Sequence, residues 1–460
     1  MPVTAKEATA HQAGRPLTQR CVAGLAARGA DPAELIGLAQ ASPQLMNAYG
    51  DRYLARPVLL ESDQVSGLEA DLSRLFALLV SLRDRVFGGD LRAMALAGGM
   101  APPQVDAMLR TTFGPPVCLS RADLYQEADG FKVLEFNIVS ALGGLDNALL
   151  NRALLRHPAI EEFVDAEGLR YVDTMARMAE MIRIECERVG AASRPRVVMV
   201  DTPENFPEID ARLTYVAEVW SQMGLDAIAC SLGEIEERSG RLYARDQAID
   251  VIYRYFLIED VIGRDASTIE PMVRAVERQQ VGLVTGMDAE LYGNKAMLAL
   301  LTDDEHREVL TVQERAFTDR LLPWSRPLRA GRATAGGQEV DLLAYAAAER
   351  ENLILKPTLM HGGIGMVPGW TVDHEQWQEA LAAAVGGPYV LQRRVRPVTE
   401  PFPEPGPPGT VAPQSLNWGV FLIQDAYAGT IVRGSADPDV GVVSMNSGAR
   451  VGCCFHQPMA

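Results

Sequence analysis

Cysteine is scarce in this chain, and the six present show none of the paired spacing that builds a zinc site. Cys21, Cys118, Cys186 and Cys230 stand far apart, and the adjacent Cys453 and Cys454 are poorly placed for a disulfide framework. A reducing, cytoplasmic setting is therefore expected. Positive charge is also short. Lys plus Arg number 43 against 60 Asp plus Glu, a net charge of −17, which disfavours adventitious binding to nucleic acid or to anionic membranes. Any phosphate site in such a chain has to be local. No apolar run is long enough to cross a bilayer, and residues 1–16, polar and alanine-rich, lack the apolar centre of a secretory signal. Also missing are an internal repeat, a dinucleotide glycine fingerprint and a Ser-His-Asp pattern.

What is present fits a globular protein. At 460 residues, 48% hydrophobic and 22% charged, the chain exceeds one ordinary core and should divide into two or three cooperating domains. From Ser62 to Phe87 the leucines at 68, 72, 75, 79 and 82 alternate steps of four and three, which predicts a packing helix stopped by Gly88-Gly89. At Pro116–Leu119 the period changes to two. That stretch and Phe131–Phe136 read as strands joined through Glu127-Ala128-Asp129-Gly130. On such a hairpin Arg121 and Asp123 share one face, as do Glu135 and Asn137. Apolar runs at 196–201, 226–230 and 249–253, with a helix-like stretch between the first two, predict a parallel α/β layer. Seven prolines between Arg396 and Gln414 predict a long loop, read either as a stiff connector or as a lid.

Some of these residues carry chemistry. Magnesium favours hard oxygen ligands, so Asp123, Glu135 and Asn137 make a suitable partial shell; the bland reading is an ion pair beside Arg121. Lys356 ends the apolar strand Leu353–Pro357, where a point positive charge suits nucleotide phosphates. Gly362-Gly363-Ile364-Gly365 can bring backbone amides close to phosphate oxygens without a Cβ collision. Lys295 opens a helix, whose positive end also favours an anion. Arg254 and Glu259 are candidates for a polar ligand or plain surface charges, and Asn446 is a candidate neighbour of the site.

The order of these segments resembles the glutathionylspermidine-synthase-like branch of the ATP-grasp ligases in its circularly permuted arrangement. The resemblance covers Ser120–Ser140, Asn294–Leu301, Leu353–Gly365, Pro388–Arg393 and Asn417–Arg433, with Arg-x-Asp followed by Glu-x-Asn-x-x-Ser its most specific part. The carboxylates precede both lysines, which is the permuted order. It implies that Asp123, Glu135 and Asn137 bind Mg2+, and that Lys295, Lys356, Gly362, Gly363 and Gln392 contact ATP. Ser140 and Arg121 would hold the substrate carboxylate, and Arg433, with Arg121, would serve catalysis on the transferred phosphate. The hinge departs from the family in carrying Arg393-Arg394, and the amidase half of bifunctional relatives is not expected here.

The implied fold is α/β (α+β), an ATP-grasp architecture with a helical N-terminal region and a parallel α/β pre-grasp domain. Its expected parts are a helical region at 1–110, a metal-binding hairpin with helices at 111–190, a substrate-side α/β domain at 191–285 and a nucleotide-binding lobe at 286–460. The implied activity is an ATP-dependent ligase that joins a carboxylate to an amine, on an amino acid or small peptide, through an acyl phosphate. A phosphotransferase acting on a hydroxyl or on His361, or an inactive nucleotide-binding protein, are the alternatives. Expected partners are small carboxylate and amine substrates, with no nucleic acid or membrane; a homodimer is left open.

Overall fold

The computed structural model describes residues 16–191, 193–261, 268–360, 362–407, 409–437 and 439–459. It is a mixed α/β fold with helices and several sheets. The largest sheet has seven strands, in the order Val58–Leu60, Arg450–His456, Ala426–Ser435, Val411–Ile423, Leu119–Glu127 and Gly130–Ile138, with Thr399–Pro403 paired to the start of Val411–Ile423. Val58–Leu60 runs parallel to its neighbour and the remaining pairs are antiparallel.

Period-two alternation decides what this sheet does with its two faces. Ala122, Leu124, Val133, Phe136, Ile138, Leu416, Trp418, Val420 and Val432 join one apolar cluster together with Leu68, Leu72, Leu75, Leu79 and Leu82. Those leucines belong to the helix Ser62–Arg85, which packs on the sheet and ends before Gly88 and Gly89, both at positive φ. The intervening residues Arg121, Asp123, Glu135, Asn137, Asn417 and Arg433 are thereby assigned to the opposite face.

A second sheet is wholly parallel, in the order Gly282–Val284, Val251–Arg254, Arg196–Asp201, Asp226–Ser231, with the helix Phe206–Gln222 crossing between the last two. The helix Thr174–Arg188 packs against strands of both sheets. A third sheet, antiparallel, runs Ser325–Pro327, Tyr389–Arg393, Leu353–Pro357, Val367–Pro368. Among the described residues no helix is long and apolar enough to cross a membrane, and all six cysteines are free and buried.

Three expectations need correction. The proline-rich stretch is a hairpin instead of a loop: Thr399–Pro403 pairs with Val411–Ser415, and Pro401 lies opposite Pro413. An outer strand tolerates prolines because it needs few ladder donors. The first strand of the hairpin that carries Asp123 starts at Leu119, leaving Pro116–Cys118 ahead of it. The helical region before residue 111 also contributes a strand, Val58–Leu60, to the main sheet.

Candidate active site

One cavity of ≈ 600 Å³ is walled by the polar face of the main sheet and by the third sheet. On the main sheet, Asp123 lies directly across from Glu135 and Arg121 across from Asn137. The register then slips, because Leu124 pairs with Val133 and Leu134 is left over in a bulge. The carbonyl of Leu134, excluded from the ladder, turns to the other wall, where it accepts from Lys356 Nζ at 3.4 Å and from Gln392 Nε2 at 3.4 Å. Lys356 Nζ also donates to Gln392 Oε1 at 2.7 Å from the neighbouring strand. Burial pushes the Lys356 ammonium down to about 8, with Glu135 pulling the other way.

Asp123 is the electrostatic centre of the sheet wall. Arg121 grips it with both ends of its fork, Nε to Oδ1 at 2.8 Å and Nη2 to Oδ2 at 3.1 Å. Arg433 Nη2 adds a bond to Oδ1 at 2.9 Å and touches Asn417 Oδ1 at 3.3 Å. Burial alone would raise the Asp123 carboxyl, but the two guanidinium groups outweigh it and hold the group at about 2. Arg121 Nη1 reaches the carbonyl of Gly143 at 2.8 Å, so it also fixes the loop after the hairpin.

The cavity walls carry Arg121, Lys356, Arg393, Arg394, Arg396 and Arg433 against Asp123, Glu135 and Asp439. A protein of net charge −17 therefore concentrates positive charge here, which is what a local polyphosphate site requires. Gly362 (φ +66°) and Gly363 (φ +81°) also face the cavity, in a backbone conformation that favours glycine and with open space where a Cβ would stand. For a divalent cation, Asp123, Glu135 and Asn137 form an oxygen-only set of two carboxylates and one amide, which suits Mg2+. Asp123 already accepts three guanidinium N–H bonds. A carboxylate offers about four acceptor positions, so one remains for a metal.

Two of the expected residues are not in the cavity wall. Lys295 is buried behind it, its Nζ 3.5 Å from Glu135 Oε1 and donating to the Met360 carbonyl at 2.6 Å. The helix it opens, Lys295–Leu300, spans 6 residues and is capped by the Asn294 side chain, so Lys295 bears on the cavity through Glu135. Ser140 is fully buried, and its carbonyl accepts from the Tyr253 hydroxyl at 2.5 Å. Arg254 is neither a surface charge nor a cavity residue. It is fully buried and paired with Glu290 at 2.6 Å. Glu259 is largely withdrawn from solvent as well, and burial raises its carboxyl to about 8. His361 lies outside the described residues.

Other wall residues carry no strong sequence signal. Tyr125 could have been found, since it continues the alternation Arg121, Asp123 on the same strand. Asn417 faces Arg433 only through strand register. Trp370, over whose ring the Arg394 guanidinium lies at 4.2 Å, and residues 439–444, which close one side of the cavity, become neighbours only in three dimensions.

No protein-family model matches the chain, and no curated protein matches it by sequence. Among solved structures it is similar to a glutathione synthetase-like effector from Globodera pallida in its apo form, with a TM-score of 0.54 and 12% identity over 92% of this chain and 96% of that one. At that identity the likeness is one of fold.

Proposed function

We propose that the chain is an ATP-dependent carboxylate–amine ligase with a circularly permuted ATP-grasp architecture, acting on an amino acid or small peptide and releasing ADP and phosphate. The observation that carries this reading is the single cavity in which Asp123, Glu135 and Asn137 on one sheet stand across from Lys356, Gln392 and the Gly362-Gly363 turn on another. The fold shared with a protein described as glutathione synthetase-like agrees with it. In this reading residues 286–460 form the nucleotide lobe, 111–190 the metal-binding hairpin, 191–285 the substrate side and 1–110 a helical support, in a cytoplasmic enzyme.

The substrate carboxylate oxygen attacks the γ-phosphorus of ATP while the bond from that phosphorus to the ADP oxygen breaks. Phosphoryl transfer asks mainly for alignment and for cations around the equatorial oxygens. Lys356 supplies one, remaining protonated near neutrality because its ammonium titrates at about 8. Arg433 supplies another, once the triphosphate competes for the guanidinium that Asp123 now holds. Asp123, Glu135 and Asn137 would hold Mg2+, which contributes charge neutralisation on the phosphates. Arg121 orients Asp123 and the 143 loop, placing the carboxylate substrate. The amine then attacks the carbonyl carbon, the bond to phosphate breaks and the amine proton leaves to solvent.

The test is an ADP-release screen of carboxylates and amines in pairs, with Mg2+. ADP and phosphate that require both partners are expected. AMP and pyrophosphate would rule out the acyl-phosphate route, and a stable phosphorylated product without amine would favour a phosphotransferase.

A further inference from the structure

Residues 439–448 have no place in the sequence reading apart from Asn446, yet they join the two walls of the cavity. On the main-sheet side the segment is pinned at three points. The Val443 amide donates to the Tyr125 hydroxyl at 3.0 Å, the Val443 carbonyl accepts from Asn417 Nδ2 at 3.1 Å, and the Met445 carbonyl accepts from Arg52 Nη1 at 2.8 Å. Within the segment Ser447 Oγ donates to the Val442 carbonyl at 2.7 Å, and the Ser444 amide donates back to Ser447 Oγ at 3.0 Å, so the turn is internally braced. On the other side Asn446 Nδ2 donates to the carbonyl of Gly362 at 3.0 Å. Gly441 is seated so closely that a Cβ there would stand 2.9 Å from Pro368 Cγ. Asn417 uses both ends of its amide, since its oxygen receives Arg433 Nη2 at 3.3 Å.

We infer that residues 439–448 are a strap that registers the glycine-rich turn against Arg433, with Asn417 and Asn446 as positioning residues. One unbroken run of bonds links Asp123 to Arg433, to Asn417, to Val443, through the braced turn to Asn446 and on to Gly362. A ligand that displaces either end is felt at the other. Under the ligase reading, on which this consequence rests, the strap keeps water from the acyl phosphate while the amine enters.

The experiment uses the full chain and two variants. N446D is isosteric but has no donor for Gly362, and G441A pushes the strap from Pro368 by bulk without adding charge. Hydrogen exchange measured by mass spectrometry is expected to quicken about three- to tenfold in N446D, the effect of losing one ordinary hydrogen bond, and at least as much in G441A, where overpacking against Pro368 strains the segment. The change should occur together in peptides covering 439–448 and 362–366. Quickening in only one of the two segments, or in neither, overturns the strap. In turnover, ADP formed per amide is expected to rise from one to two or more, as water replaces amine in the second step. A ratio that stays at one while kcat falls overturns the coupling. If the wild-type chain forms no amide with any pair, the ligase reading fails by itself and the exchange measurement still decides the strap.

Discussion

Arg254 stands at the carboxyl end of a parallel strand, the place from which open α/β sheets usually reach a ligand, and its burial turns that position to a structural use. Its side chain is 0% exposed and that of Glu290 1%. Besides Glu290, the guanidinium bonds the carbonyls of Thr285 at 2.8 Å, Phe256 at 3.0 Å and Gly286 at 3.1 Å, which fixes the loops after two strands. Arg254→Met keeps much of the stem and removes the charge, leaving the Glu290 carboxylate inside the protein with the Ile258 amide at 3.0 Å. Stranding one partner of a buried pair costs about 3–5 kcal/mol.

A stranded carboxylate escapes part of that penalty by taking a proton, so the loss should depend on pH. Burial already raises the Glu290 carboxyl and Arg254 opposes the rise; without Arg254 it moves further up. A group whose folded pKa exceeds its unfolded one adds stability that is fully present below the unfolded value and is lost as pH rises through the folded value. The deficit of R254M is therefore expected to be largest at pH 8 and to narrow towards pH 5. Urea denaturation followed by tryptophan fluorescence measures it, with buried Trp220 packed edge-on against Tyr253 at 5.2 Å as a reporter beside the strand. A variant as stable as wild type, or a deficit that grows on acidification, would refute the reasoning. Lost substrate binding in a fully stable R254M would make Arg254 a ligand contact instead.

Glu135→Ala is expected to lower turnover on the order of a hundredfold or more and, because it strands the buried Lys295 ammonium 3.5 Å away, to lower the unfolding midpoint as well; wild-type kcat would remove Glu135 from the site. Lys356→Ala should weaken ATP binding about 10- to 100-fold, the range for a charged hydrogen bond. Wild-type affinity, read by calorimetry, should itself weaken from pH 7 to pH 9 as an ammonium held at about 8 loses its proton, whereas in K356A it should stay flat. Gly293→Ala puts a Cβ 2.7 Å from the Ile138 amide nitrogen and 2.8 Å from the Phe136 carbonyl. It should cost about 1–3 kcal/mol by overpacking and weaken ATP binding by moving Lys295 from Glu135; an unchanged denaturation midpoint would show that the backbone gives way there.

Which residues share a face was legible, because alternation along a strand and a four-three stripe along a helix are properties of local geometry. Arg121 with Asp123, Glu135 with Asn137, and the leucines of Ser62–Arg85 follow from spacing alone. So did the parallel character of the sheet around 196–254, from β-branched runs separated by a helix. Proline content misled at 399–413, since it forbids a central strand but permits an outer one.

What no local pattern encodes is which face meets which. The bulge that frees the Leu134 carbonyl is a matter of register between two strands. The withdrawal of Lys295 behind Glu135 and the burial of Arg254 depend on elements distant in the chain. The segment from Asp439 to Gly448 carries no sequence signal beyond Asn446, and its bonds to Tyr125, Asn417 and Gly362 exist only because two sheets stand opposite each other. Residue types and their periods thus set which groups are offered, while long-range packing and the energy of burying charge decide which of them face the cavity and which are enclosed in the interior.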